Sequence, residues 1–254
     1  MKIYLRTIFI VFVAFIIYCG GSKELTVSDA DIVVLNTPVL SVGDEFIYSI
    51  NYTFNPLYFR SSMKNRIMET AVVKEIFKVS KVIPFNEREV FVVDVECYDK
   101  DDNKTLDYMI YINKSDGKIA KNSFADNASL EGFRPRYTEI LGFYDPWMLK
   151  LSPGYKFTIK NRQMVPVRRQ PGEPSEPVFA DAEKTYNVKR IENIEGRKCF
   201  EVEAELKFPI RQQAGEVKYD KMKYKYYIDL SKRIMVKQTI EYDATREKTL
   251  VGIK

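Results

Sequence analysis

The 254-residue chain contains no histidine. That absence excludes Ser-His-Asp and Cys-His nucleophiles, imidazole metal sites and the one side chain that titrates unperturbed near neutrality. Cysteine occurs three times and never in a Cys-x-x-Cys spacing, so the usual dithiol redox and zinc patterns are missing. Gly-rich phosphate loops are also missing. Charge of one sign is scarce: 40 basic against 35 acidic residues leave +5, which calls for no nucleic-acid partner. Carboxylate pairs such as Asp29/Asp31 lie in a polar stretch where nothing desolvates or positions them for acid–base work. No catalytic constellation remains, and we expect no enzyme, no metal and no cofactor. What is present is 45% apolar residues with 17 Tyr and 16 Phe, enough to fold as one large domain or two small ones and too much for a disordered chain.

Long apolar runs occur once. Met1 to Arg6 is short and positive, and Thr7 to Tyr18 is an uncharged apolar stretch shorter than the roughly 20 residues a membrane span needs. This has the form of a secretory signal. Cys19 follows it directly, then Gly20-Gly21-Ser22. The arrangement resembles the lipobox of bacterial lipoproteins, with Ile16 and Ile17 before the cleavage point and Tyr18 where the family usually has Gly, Ala or Ser. The resemblance implies removal of residues 1–18 and lipid attachment at Cys19, whose acyl chains hold the protein to a membrane. Gly20, standing where an Asp signals inner-membrane retention, leans toward the outer membrane of the cell envelope. The alternatives are an uncleaved anchor helix and conventional cleavage. Residues 19–38 read as the lipidated Cys and a small, polar, flexible tether. Losing Lys2 and Arg6 leaves 38 basic and 35 acidic groups.

Self-similarity organises the rest. Leu40-Ser41-Val42-Gly43-Asp44-Glu45-Phe46 matches Leu151-Ser152-Pro153-Gly154-Tyr155-Lys156-Phe157 at an offset of 111. Phe77 to Val82 lies against Tyr186 to Ile191, and Arg88 to Val93 against Arg197 to Val202, both at 109; Tyr111-Ile112-Asn113 matches Tyr227-Ile228-Asp229 at 116. Offsets that drift by a few residues suit two copies of one β-unit with altered loops. We therefore divide the chain into a first β-unit at 39–123, an aromatic linker at 124–149 and a second β-unit at 150–254.

Period-two alternation marks the strands. Phe91, Val93, Val95 and Cys97 share one face, with Asp94 and Glu96 on the other; Phe200, Val202, Ala204 and Leu206 alternate with Glu201, Glu203 and Glu205. Such a dry face and wet face suit antiparallel strands. The expected strands are 44–54, 66–82, 89–98, 106–113, 118–122, 155–165, 184–192, 197–208, 218–229 and 233–242, with turns at Asp99–Asn103, Asp116-Gly117 and Asp229–Lys232, and one short helical turn around Tyr137 to Gly142. Pro166 to Pro177 holds four prolines and reads as an exposed insertion.

Few residues stand out as a site. Asp99-x-Asp101-x-Asn103 opens like a calcium loop, but Lys104 stands where Gly is needed and Ile110 where a bidentate Glu is needed, so a hairpin turn is the reading. Export would permit a Cys97–Cys199 bridge, yet the two are not equivalent in the repeat and alternation sets them on opposite faces, which leaves pairing open. Arg162, Arg168 and Arg169, together with Lys156 and Lys160, read as a solvated loop diluted by Glu173 and Glu176, the alternative being contact with anionic lipid headgroups or acidic polysaccharide. Phe133, Tyr137, Phe143, Tyr144 and Trp147 put five large rings in fifteen residues, which either plug the sheet as core or form an apolar ligand or partner surface.

The opening strand Gly43-Asp44-Glu45-Phe46-Ile47-Tyr48, the later strand Arg197 to Val202, and Tyr227-Ile228-Asp229 followed by Arg233 to Lys237 resemble the Lol-type lipoprotein carriers and related periplasmic proteins. The resemblance implies a curved antiparallel sheet or incomplete barrel around an apolar cavity. The expected fold is therefore mainly β with little helix, built from two related β-units. The expected function is that of a membrane-anchored envelope lipoprotein binding a hydrophobic or protein partner through its sheet, with a lipid or lipoprotein carrier as the alternative.

Overall fold

The computed structural model describes residues 34–35, 37–54, 68, 71–117, 119–123, 150–165, 178–211, 217–242 and 244–254. Its strands are β1 (Val34–Leu35), β2 (Glu45–Phe54), β3 (Lys74–Phe85), β4 (Arg88–Tyr98), β5 (Lys104–Asn113), β6 (Ile119–Asn122), β7 (Lys150–Leu151), β8 (Lys156–Val165), β9 (Val178–Ile194), β10 (Arg197–Arg211), β11 (Val217–Asp229), β12 (Met235–Glu241) and β13 (Ala244–Ile253). β1 and β7 form a two-stranded sheet. The other eleven make one curved, unclosed antiparallel sheet in the order β6-β5-β4-β3-β2-β13-β12-β11-β10-β9-β8.

Alternation places the core on one face. Phe46, Tyr48, Phe77, Val95, Val202 and Tyr226 are buried there, and Tyr48 meets Phe77 edge to face at 5.4 Å between ring centroids. Burying a side chain of this size contributes roughly 1.5–3 kcal/mol.

The two related units repeat hydrogen bonds as well as residues. Gly43 N donates to Val79 O at 2.8 Å, and Gly154 N donates to Val188 O at 2.8 Å. In return Val79 N donates to Asp44 O and Val188 N to Tyr155 O, each at 2.9 Å. Both glycines have positive φ, +97° and +84°, which only glycine adopts without strain. The hairpin after β3 turns on Asn86 and Glu87, that after β9 on Glu195 and Gly196, all four at positive φ as a two-residue type I′ turn requires. A bulge interrupts β3–β4 just after the Val79–Val93 pair and β9–β10 just after the equivalent Val188–Val202 pair. Further on, Gly117 N donates to Asn113 O at 2.8 Å and Arg233 N to Asp229 O at 2.9 Å, with φ of +70° and +54° at the two donors.

The structure departs from the sequence expectation at several strands. β3 begins at Lys74 and runs on to Phe85, and β9 begins at Val178, six residues before its expected start. No strand was expected after residue 242, yet β13 lies between β12 and β2 and joins the units. Its buried face carries Lys248 in place of an apolar residue, so the alternation signal fails there. Glu201, expected on the wet face, is buried because Arg190 at 3.0 Å and Lys225 at 2.8 Å close over its carboxylate. Cys199 was likewise assigned to the polar face and is fully buried; it lies beside the bulge of the β9–β10 pair, on a stretch of β10 where successive residues lose solvent contact. Cys97 and Cys199 are free thiols. The 99–103 segment is a tight turn, with the Asp99 carboxylate accepting from the amides of Asp101 at 2.9 Å and Asn103 at 3.0 Å. Residues 1–33, the expected helical turn at 137–142 and the proline-rich 166–177 lie outside the described residues.

Candidate functional site

Three features of the sheet bear on function: its polar residues on the buried face, two troughs on the solvent face, and its two terminal strands. Cys19 and the aromatic set Phe133, Tyr137, Phe143, Tyr144 and Trp147 lie outside the described residues.

On the buried face, Lys248 of β13 is completely enclosed and pairs with Glu75 of β3, reaching past β2. Arg246 joins the same carboxylate at 3.6 Å. The Lys248 ammonium also lies 4.7 Å from the ring centres of both Tyr48 and Phe77, which stabilises a cation that has lost its water. Burial pulls the Lys248 pKa down, and the Glu75 carboxylate works against that shift. Beside Lys248, Gln238 of β12 is its cross-strand partner and is 1% exposed, and neither its amide nitrogen nor its amide oxygen has a hydrogen-bond partner among the described residues.

The second unit reverses the charge at the equivalent place. Glu75 faces Tyr48 across the β2–β3 pair, and Lys184 faces Ile159 across the β8–β9 pair. Offsets of 109 and 111 relate the two pairs. Lys184 donates to the Tyr226 hydroxyl at 3.1 Å and lies 3.8 Å above the Tyr224 ring centre. Sequence reasoning overlooked both groups, although aligning Lys74-Glu75-Ile76-Phe77 with Glu183-Lys184-Thr185-Tyr186 exposes the reversal.

The solvent face carries a trough in each unit. One, of about 670 Å³, is lined by Ile76, Lys78, Asp94, Glu96, Asp107 and Met109. The other, of about 560 Å³, is lined by Thr185, Asn187, Glu203, Glu205, Lys223 and Lys225. These six pairs are equivalent in order, at offsets of 109 for the first four and 116 for the last two. Both volumes fall in the range of ligand sites, roughly 300–1,000 Å³. Their chemistry differs. The first is acidic, with Lys104 held between Glu96 at 3.5 Å and Asp107 at 3.1 Å; in the second, Lys225 reaches Glu203 at 3.8 Å and Lys221 reaches Glu205 at 2.7 Å. The hydrogen bond from the Tyr98 hydroxyl, 2.7 Å long, holds the Glu96 carboxyl below the usual carboxylate range, with Lys104 adding to the effect. The same bond raises the Tyr98 phenol. A carboxyl shifted that way accepts hydrogen bonds and cations at neutral pH and holds no proton to donate.

The terminal strands are β6 and β8. By the repeat, β6 corresponds to β12 and β8 to β2, and β13 lies along both of those counterparts.

No protein-family model matches the chain, and no curated protein matches it at a significant level. Solved structures do. A Bacteroides fragilis protein described as exported, with a YmcC-like fold, is 11% identical over 86% of this chain and 98% of its own, with a TM-score of 0.39. A Parabacteroides distasonis protein described as a lipoprotein is 8% identical over 88% of this chain and 100% of its own, with a TM-score of 0.41. The Mycobacterium tuberculosis lipoprotein LppX is 9% identical over 81% of this chain and 83% of its own, with a TM-score of 0.29. No residue role or activity is carried over from them.

Proposed function

We propose that the chain is a cell-envelope lipoprotein, held to a membrane through acyl chains on Cys19, that works by binding a protein or hydrophobic partner on its sheet rather than by catalysis. The observation that carries the binding reading is the pair of equivalent troughs, which set carboxylates and ammonium groups side by side on the solvent face. The first test is the intact mass of the chain produced with its own N-terminus in a two-membrane bacterium. Loss of residues 1–18 together with an acyl mass on Cys19 is expected; a soluble product retaining Met1 overturns the tether. The second is a photo-crosslinking residue placed at Met109 or at Lys225, the equivalent positions in the two troughs. Adducts from either are expected in intact cells, and none from both overturns binding on this face.

The carrier reading draws on Gln238, whose two amide atoms, unpartnered among the described residues, a bound polar head would satisfy. Native mass spectrometry of the purified chain separates the readings, because a stoichiometric lipid adduct supports the carrier and its absence removes it.

A further inference from the structure

We infer that the outer edge of β8 is a docking site for an acidic, extended polypeptide segment, which adds to the sheet there as β13 adds to β2. The inference deepens the binding reading by naming the partner class, and rests on that reading only in taking a protein partner.

The argument starts from the repeat. β2 has a strand on each side, with β3 on one and β13 on the other. Among the described residues its equivalent, β8, has β9 on one side only. An edge strand of ten residues presents a row of backbone donors and acceptors that can template another strand. The other terminal strand, β6, has four residues and offers a much shorter row.

Charge selects the occupant. β2 carries one acidic residue, Glu45, and no basic one, and the strand lying on it brings Arg246 and Lys248 to the buried face and Glu247 to the solvent face. β8 is the reverse, with Lys156, Lys160 and Arg162 and no acidic residue. Lys156 and Lys160 are exposed on the solvent face, Lys160 beside Glu183 of β9 at 3.1 Å. On the buried face, Glu75, which receives Lys248 past β2, is replaced by Lys184, which stands one strand in from the β8 edge. Both faces of the edge therefore favour acids: on the buried face at the places where β13 carries Arg246 and Lys248, and on the solvent face where β13 itself carries Glu247. A second copy of β8 fits poorly, since pairing two such edges sets basic side chains against basic side chains.

Two synthetic decapeptides test this: the β13 sequence Ala244 to Ile253, and the same peptide with Arg246→Glu and Lys248→Glu. Each is titrated by fluorescence anisotropy into the full chain in detergent, and amide hydrogen exchange of β8 is followed in parallel. The acidic peptide is expected to bind about tenfold more tightly than the unaltered one, to slow exchange along 156–165, and to weaken with added salt. Lys184→Gln in the chain should reduce the preference. Lys156→Glu, on the exposed face, should weaken both peptides, which share Glu247, without disturbing the core, so binding at this edge stays testable should Lys184→Gln fail to fold. Equal binding of the two peptides, no binding, or β8 amides already protected before any peptide is added each overturn the inference; the last places a segment of the chain itself along that edge. Because the purified chain is used, failure here is distinct from a failure of Cys19 lipidation or of crosslinking at the troughs.

Discussion

Lys248 and Glu75, 173 residues apart in the chain, form an ion pair on the buried face of the sheet. Desolvating two charges is expensive, and the pair holds because the carboxylate also receives Arg246 and the ammonium lies against two aromatic rings. Removing one partner leaves the other charge buried and unmatched. Lys248→Met or Glu75→Gln alone should each cost about 3–5 kcal/mol in urea unfolding, whereas Lys248→Met combined with Glu75→Met should recover most of that loss. A double variant as unstable as the worse single one would show that the site depends on the charges themselves.

Two carboxylates tie stability to pH. Burial raises the Glu201 pKa, but Lys225 and Arg190 outweigh it and hold the group below its ordinary 4.5; for Asp229 burial is likewise outweighed, here by Ser231, the Lys232 amide and Arg197, which hold it below 3.8. A depressed folded pKa contributes stability that is complete above the ordinary value and disappears as pH falls through the lowered one. The urea midpoint of Glu201→Gln should therefore lie below that of the native chain at neutral pH, and the gap should narrow only as pH drops below about 4.5. A gap that stays constant down to pH 3 would assign the effect to packing.

Burial pushes the Cys97 and Cys199 thiols upward, Cys199 to about 12, so neither is a thiolate at neutral pH. Ellman's reagent should leave both unmodified in the folded chain and titrate both in guanidinium. Rapid labelling of the native chain at either position would contradict their burial.

Gly43 and Gly154 provide a matched pair. A Cβ at either would meet nothing within 4 Å, so Gly43→Ala and Gly154→Ala should each cost only the backbone strain of a positive φ, about 1–2 kcal/mol. At Gly117 a Cβ would come within 2.8 Å of Pro38 Cδ, and Gly117→Ala should cost more than either. Thermal melts of the three variants give the ranking.

Much of the sheet was legible because its buried face is apolar on most strands. Val93, Val95 and Cys97 on β4, and Phe200 and Val202 on β10, advertised both strand and face. The repeat marked Gly43 and Gly154 before their shared hydrogen bonds were seen. β13 was illegible for a physical reason: Lys248 is neutralised by a residue far away in sequence, and no local pattern reports a partner on another strand. Glu201 misled for the same reason, since Arg190 and Lys225 come from the flanking strands. The troughs are likewise built from alternate residues of three neighbouring strands, so register had to be known before Asp94, Glu96 and Asp107 could be grouped. The aromatic set and Cys19, singled out by composition and spacing, lie outside the described residues.

β13 is sixth of eleven in the sheet order, with five strands on either side. A chain that emerges from the ribosome in sequence order has every other strand of the large sheet in hand before the middle one is made, so neither half can be fastened to the other until synthesis reaches residue 253. Assembly governed by so distant a contact is slow. The first five strands, complete by residue 122, can pair among themselves, but the seam that unites them with the other five is closed from the far end of the chain.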